Sequence, residues 1–293
     1  MRTVKAMLAA LLAVWPLGVQ AEGGANSPVP VQAPAPATAT ADVARLLDVM
    51  QIDATIEVMR AEGMAHGAVL EQEMFPGEGG VAWRGKVSAI YDPARMRAGV
   101  ESGLGRALAG DAETIAAALA FFGSDLGQKI LSLEIEARRV LLDEAAEAAA
   151  RARAEDLRAA EDPRYRLVEE FAAANDLVEM NVMGALNANL AFYRGLNAGG
   201  AIPGGMSEED MLAEVWGQED DVRAESAEWL FPYLLLAYEG LTEQEMRDYL
   251  AFSGTPGGKA LNAAVFAAFD EMFVQLSEAL GRAAADVLAG SDI

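Results

Sequence analysis

The sequence contains no cysteine. That excludes disulfides, thiol nucleophiles and thiolate metal ligands together, so the fold must stand on its core alone. It contains a single histidine, His66. That count excludes histidine-based zinc sites, and no Glu-x-x-His pair exists for a carboxylate-bridged di-iron bundle. His66 lies in "GMAHGAV", between glycines near an expected helix end, which suits a loop or capping role. There is no Gly-x-Ser-x-Gly elbow, so serine-hydrolase chemistry has no support. Basic residues are scarce: 22 Lys and Arg face 45 Asp and Glu, a net charge of −23. Such a surface repels nucleic acid and anionic lipid, and neither is expected as a partner. No stretch alternates apolar and polar residues with β-branched side chains, so strands are not expected.

Long hydrophobic runs are also missing. The run from Ala6 to Val19 has 14 residues, short of the ~20 that span a bilayer. Arg2 and Lys5 precede it, and Val19-Gln20-Ala21 follows with small residues at the positions a signal peptidase reads. This is the layout of a secretory signal peptide cut between Ala21 and Glu22. The expectation is a periplasmic or secreted bacterial protein with no stable membrane insertion after cleavage. Residues 22–40, rich in Pro, Ala, Ser and Thr, read as a disordered tether.

From Ala41 onward, Ala, Leu, Met, Glu and Arg dominate, and these favour helix. Helix starts are marked by Asp92-Pro93, Asp111, Asp162-Pro163, Ser207 and Thr242, which place a capping side chain before the first turn. The phrase "LAFFGSDLG" at 119–127 returns as "LAFSGTPGG" at 250–258. Apolar residues follow it at Ile130, Leu133, Ala137 and Leu141, and again at Leu261, Ala264, Ala268 and Met272. That spacing is one face of a helix. The phrase therefore reads as a helix–corner–helix device. Gly123 and Gly254 end the first helix in the left-handed conformation. Ser124 and Thr255 cap the second, and Pro256 fits its first position. Gly127 and Gly258 leave room for the two helices to meet, and Phe121 and Phe252 plug the corner from inside.

A phosphate loop is the competing reading of "GTPGGKA". It fails because Gly254 to Gly258 is one residue short of a Walker spacing, Ala260 stands where a hydroxyl is needed, and no strand precedes it. The wider chain also repeats. "LLDVMQIDATIEVM" (46–59) resembles "LVEEFAAANDLVEMNV" (167–182), and Pro76-Gly77 matches Pro203-Gly204. The expected fold is all-α, with two related multi-helix units at 41–160 and 161–293. A long helix from Asp125 to Glu161 joins them.

The second copy carries a family resemblance. In "AYEGLTEQEMRDYLAFSGTPGGKALNAAVFAAFDEMF" (237–273), Tyr249, Phe252, Thr255, Pro256, Gly258, Ala260-Leu261-Asn262, Phe266, Phe269 and Asp270 fit a pattern. It resembles that of a proteobacterial exported family known only as a domain of unknown function, number twenty fifty-nine. Residues 111–141 resemble it less closely, with Phe121, Ser124, Gly127 and Gln128 present and Asp125 in place of the proline. The resemblance implies an all-helical exported protein, and it implies no activity and no catalytic residue.

Little else points to chemistry. Glu219, Asp220 and Asp221 concentrate charge but lack the alternating ligands and glycine of a calcium loop, and read as a solvated acidic loop. Met50, Met59, Met180 and Met183 fall on apolar helical faces and read as core rather than copper ligands. "EWLFPYLLLAY" gathers Trp229, Phe231, Tyr233 and Tyr238 around a helix-breaking Pro232. These four form a candidate apolar groove between the units. The leading expectation is a non-enzymatic protein that binds another envelope protein, with no cofactor and no metal. The alternatives are a periplasmic carrier of a small apolar ligand and, behind it, a carboxylate-only hydrolase.

Overall fold

The computed structural model describes residues 37–290. The signal peptide, the cleavage point at Ala21 and Glu22, and residues 22–36 of the tether lie outside the described residues. Every regular element among the described residues is helical. In order they are α1 (Ala37–Val49), α2 (Ile52–Met74), α3 (Gly80–Ile90), α4 (Pro93–Ala107), α5 (Ala112–Phe122), α6 (Asp125–Val140), α7 (Glu144–Ala159), α8 (Pro163–Ala174), α9 (Leu177–Ala198), α10 (Glu208–Trp216), α11 (Glu219–Ala237), α12 (Glu243–Ser253) and α13 (Pro256–Gly290). A 3-10 turn, Tyr238–Gly240, links α11 to α12.

Local chemistry sets most boundaries. Asp92, Asp111, Asp162 and Ser207 each accept a backbone N–H in the first turn of the helix they precede. Thr242 and Glu245 form a reciprocal capping box at the start of α12. Helix α1 begins at Ala37, inside the stretch expected to be tether. Pro36 is the last proline there, and nothing beyond it blocks a helix.

Several expectations need correction. The single joining helix from 125 to 161 is two helices. Asp143 takes an extended conformation, and its side chain accepts from Ala146 N at 2.9 Å, which restarts the chain as α7. The longest helix is instead α13, with 35 residues. Gly123 (φ −78°) and Gly254 (φ −73°) are right-handed, not left-handed, and at the first corner the chain turns at the extended Ser124. Among the described residues the left-handed non-glycine positions are Gln51, Glu161 and Asp176. His66 is buried in the middle of α2. Its glycine neighbours make room for α3: a Cβ on Gly63 would lie 2.4 Å from the Tyr91 ring, and one on Gly67 would lie 2.7 Å from Val87. Glu219, Asp220 and Asp221 form the first turn of α11 rather than a loop, where acidic side chains favour the positive helix end. Pro232 does not break α11, which runs through it at the cost of one helical hydrogen bond.

The packing interleaves the two halves of the chain. Helix α13 lies along α9 and also against α4 and α5. Helix α6 lies against α2 and also against α11. Helices α9 and α13 run side by side in the same direction, with Asn187 beside Asp270, Gly195 against Gly281, and Gly199 against Ala285. One continuous core results, and it includes Leu46, Met50, Trp83, Phe171 and Phe269. Met50 and Met59 belong to that interior, while Met183 is exposed.

Candidate functional site

The two corners are built alike, bond for bond. Ser124 Oγ donates to Phe121 O at 2.6 Å and accepts from Gly127 N at 3.1 Å. Thr255 Oγ1 donates to Phe252 O at 2.7 Å and accepts from Gly258 N at 2.9 Å. Both hydroxyls thus close one helix and open the next. Gly127 and Gly258 sit against the backbone of the preceding helix. Their missing Cβ atoms would stand 2.3 Å from Phe121 O and 2.2 Å from Phe252 O. Pro256 opens α13. Ser124→Ala and Thr255→Ala should each lower stability by about 1 kcal/mol, measured by urea unfolding. No loss from either would mean the hydroxyls do not hold the corners.

The corners also meet each other. Phe121 and Phe252 stack face to face, with centroids 4.0 Å apart and planes within 5°. Neither ring plugs its own corner. Each is half-buried against the other, and the fully buried residues are their neighbours, Phe122 and Ser253. A groove of about 890 Å³ runs over this pair. Its lining includes Ala117, Ala120, Phe121 and Leu126 from one half, and Phe252, Pro256 and Ala260 from the other. Asp111 and Glu113 stand at one end, where α5 begins. The backbone N–H of Thr114 holds the Asp111 carboxyl below its usual range.

Beneath the groove the aromatic contacts continue inward. Phe121 also stacks on Tyr249 at 5.7 Å, and Tyr249 meets Phe171 and Tyr238. Glu134, on α6, receives hydrogen bonds at one carboxyl oxygen from Tyr238 (2.8 Å) and Tyr249 (3.3 Å). It is buried, and burial pushes its pKa up to about 8, against the two tyrosine hydrogen bonds that favour the charged form. The same burial pushes Tyr233, Tyr238 and Tyr249 well above the usual tyrosine range. One turn further along α6, Arg138 is buried with its guanidinium on Glu62. Its Nε donates to Oε1 at 2.6 Å and its Nη2 to Oε2 at 2.7 Å. The guanidinium carbon lies 5.9 Å from the Trp229 ring centroid. A cavity of about 20 Å³, room for one water, is lined by Thr55, Glu134, Arg138 and Tyr233 among others.

The four residues of the expected apolar groove are therefore divided. Trp229, Tyr233 and Tyr238 are buried around the Glu134–Arg138 centre. Phe231 instead faces a separate surface hollow beside Tyr165. The reason is helical geometry: with α11 intact through Pro232, Trp229 and Tyr233 share a face that Phe231 does not. Sequence reading missed Glu62, Glu134 and Arg138. One signal was available, since Glu134 and Arg138 fall among Ile130, Leu131, Ile135 and Ala137 on the apolar face of α6. Arg138→Ala should strand the Glu62 carboxylate and cost about 3 kcal/mol. Arg138→Lys should not restore it, because a lysine cannot bond both oxygens and cover the tryptophan ring. Full rescue by lysine in thermal unfolding would contradict this.

Among the described residues no group of three or more histidine, aspartate and glutamate side chains could hold a metal ion. No helix among them is long and apolar enough to cross a membrane. No curated protein and no solved structure matches the chain. The family match falls on the first corner, not on 237–273 where the resemblance looked clearest. Residues 111–156, from the Asp111 cap of α5 into α7, match the model of the family described as an uncharacterized protein conserved in bacteria, DUF2059.

Proposed function

We propose that this chain is an exported bacterial protein, made of two copies of one six-helix unit, that binds another protein of the envelope and catalyses no reaction. The observation that carries the reading is the groove over Phe121 and Phe252, an apolar surface that needs both corners to exist. Duplication is supported by matched joints. Gln51 and Asp176 are both left-handed and open the long helices α2 and α9. The hydroxyl corners open α6 and α13 in the same way. By this reading α1–α6 correspond to α8–α13, and α7 is the connection.

Export rests on the signal-like layout before Glu22. Mass spectrometry of the exported chain should find Glu22 at its N-terminus, and a chain retaining Met1 would contradict it. The carrier reading has less support, because the hollows over Phe121 and beside Phe231 lie open at the surface and the one beside Glu134 has room for only one water. A carboxylate enzyme has less still, since Glu134 faces tyrosines and that small cavity rather than a substrate-sized cleft. Crosslinking of the tagged chain in intact cells, followed by mass spectrometry, tests the binding reading. One recurrent envelope protein is expected, and capture of nothing but the chain itself would contradict it.

A further inference from the structure

The groove over the stacked corners has a charge pattern as well as a shape. Its floor and walls are mainly apolar, with Ala117, Ala120, Phe121, Leu126, Phe252 and Pro256, and the hydroxyl residues Ser124 and Thr255 at the two corners. Among the described residues no lysine or arginine lines it, and its charged groups are the carboxylates of Asp111 and Glu113 at one end. Neither carboxylate takes part in an ion pair among the described residues. At the α5 N-terminus, which would otherwise attract an anion, Asp111 itself already accepts from Thr114 N. An acidic ligand would therefore meet two carboxylates and no cation. From Asp111 to Phe121 is ten residues of helix, about 15 Å at 1.5 Å per residue. That length matches roughly three turns of a bound helix.

Building on the protein-binding reading, we propose that this groove takes an apolar polypeptide segment of another protein, with a lysine or arginine at the end that lies over Asp111 and Glu113. The apolar side chains cover Phe121 and Phe252, and the cation adds attraction at the one charged end. The chain's net charge of −23 favours the same class of partner at longer range.

The test uses the full chain. Ala120 is exposed in the groove and is replaced by a photo-crosslinking benzoylphenylalanine. Cells are irradiated, and the crosslinked peptide is mapped by mass spectrometry. The expected peptide is apolar, with a lysine or arginine within a few residues, and comes from another protein. Glu113→Lys should cut the crosslink at least tenfold, while Glu73→Lys, the same charge change on the exposed far end of α2, should leave it unchanged. An acidic or uncharged peptide, residues 22–36 of this chain, a second copy or a lipid at Ala120 would overturn the proposal. So would equal losses from the two lysine variants. The protein-binding reading survives those results if the tagged chain still captures a partner through another face. Failure to capture any other protein, from Ala120 or elsewhere, would overturn both.

Discussion

Gly281→Val is expected to leave little folded protein. Gly281 lies where α13 crosses α9 backbone to backbone. A Cβ there would stand 2.2 Å from Phe192 O, 2.9 Å from Leu196 N and 3.1 Å from Gly195 Cα. These are main-chain atoms inside a helix and cannot turn aside as a side-chain tip could. Gly195 makes the reciprocal contact, with Glu278 O 2.2 Å from its missing Cβ. The two helices would have to separate along a seam that also joins Asn187 to Asp270 and Gly199 to Ala285. Overpacking at a side-chain contact costs about 1–3 kcal/mol. Forcing two helix backbones apart should exceed about 5 kcal/mol, comparable to the whole stability of many domains. Gly105→Ala is the control. Gly105 sits within α4 with no atom from outside its own stretch of helix within 4 Å of its missing Cβ, and this change should stabilise by about 0.5–1 kcal/mol. Soluble yield and thermal midpoint report both. A Gly281→Val protein that melts like the parent would mean that α9 and α13 do not cross here.

Stability should also fall as pH rises from about 6.5 to about 8, and Glu134→Gln should abolish that fall. Glu134 titrates near 8 in the fold and near its ordinary 4.5 when unfolded. Between those values the folded chain holds a proton that the unfolded chain has lost. Stability therefore decreases with pH across that window. At about 1.4 kcal/mol per pH unit the Glu134 contribution is on the order of 5 kcal/mol. Glutamine keeps a neutral acceptor for Tyr238 and Tyr249, so the variant should be the more stable protein at pH 8. His66 acts in the opposite sense. Burial lowers it to about 4 from 6.5, and its Nε2 has no hydrogen-bond partner. The unfolded chain takes up a proton between those values and the folded chain does not. Stability is thus lost as pH falls through them, by about 3 kcal/mol. The two slopes cancel where they overlap. Urea unfolding across pH should show a plateau near 4.5–6.5 with a decline on each side. Glu134→Gln should remove the alkaline decline and turn the plateau into a rise with pH up to about 6.5, where His66 is then unopposed. An unchanged alkaline decline in that variant would contradict the assignment.

What could be read from the sequence was local. A cap and its helix lie within three residues, so Asp111, Thr242, Ser124 and Thr255 announce themselves. The all-helical class follows from composition and period. What could not be read was long-range. Glu62 and Arg138 are 76 positions apart, and Glu134 and Tyr238 are 104. Nothing local marks Glu134 as a buried acid, except its place on an apolar face. His66 and Pro232 misled for one reason. Glycine and proline are read as helix ends, yet here Gly63 and Gly67 serve close packing and Pro232 is carried inside α11. The corner phrase was legible as a turn. That Phe121 and Phe252 would stack on each other was not, because it depends on how the two halves dock.

That docking is the claim on which the groove, and hence the proposed function, depends. The chain has no cysteine, so an introduced pair gives a clean report. A Cβ on Gly257 would lie 3.1 Å from the Ala117 Cβ across the groove floor, within a few tenths of an ångström of disulfide geometry. The Ala117→Cys, Gly257→Cys double variant should oxidise to an intrachain disulfide, migrate faster on a non-reducing gel and lose both free thiols. Two thiols that stay free under oxidant, or that pair only between chains, would show that the corners do not meet.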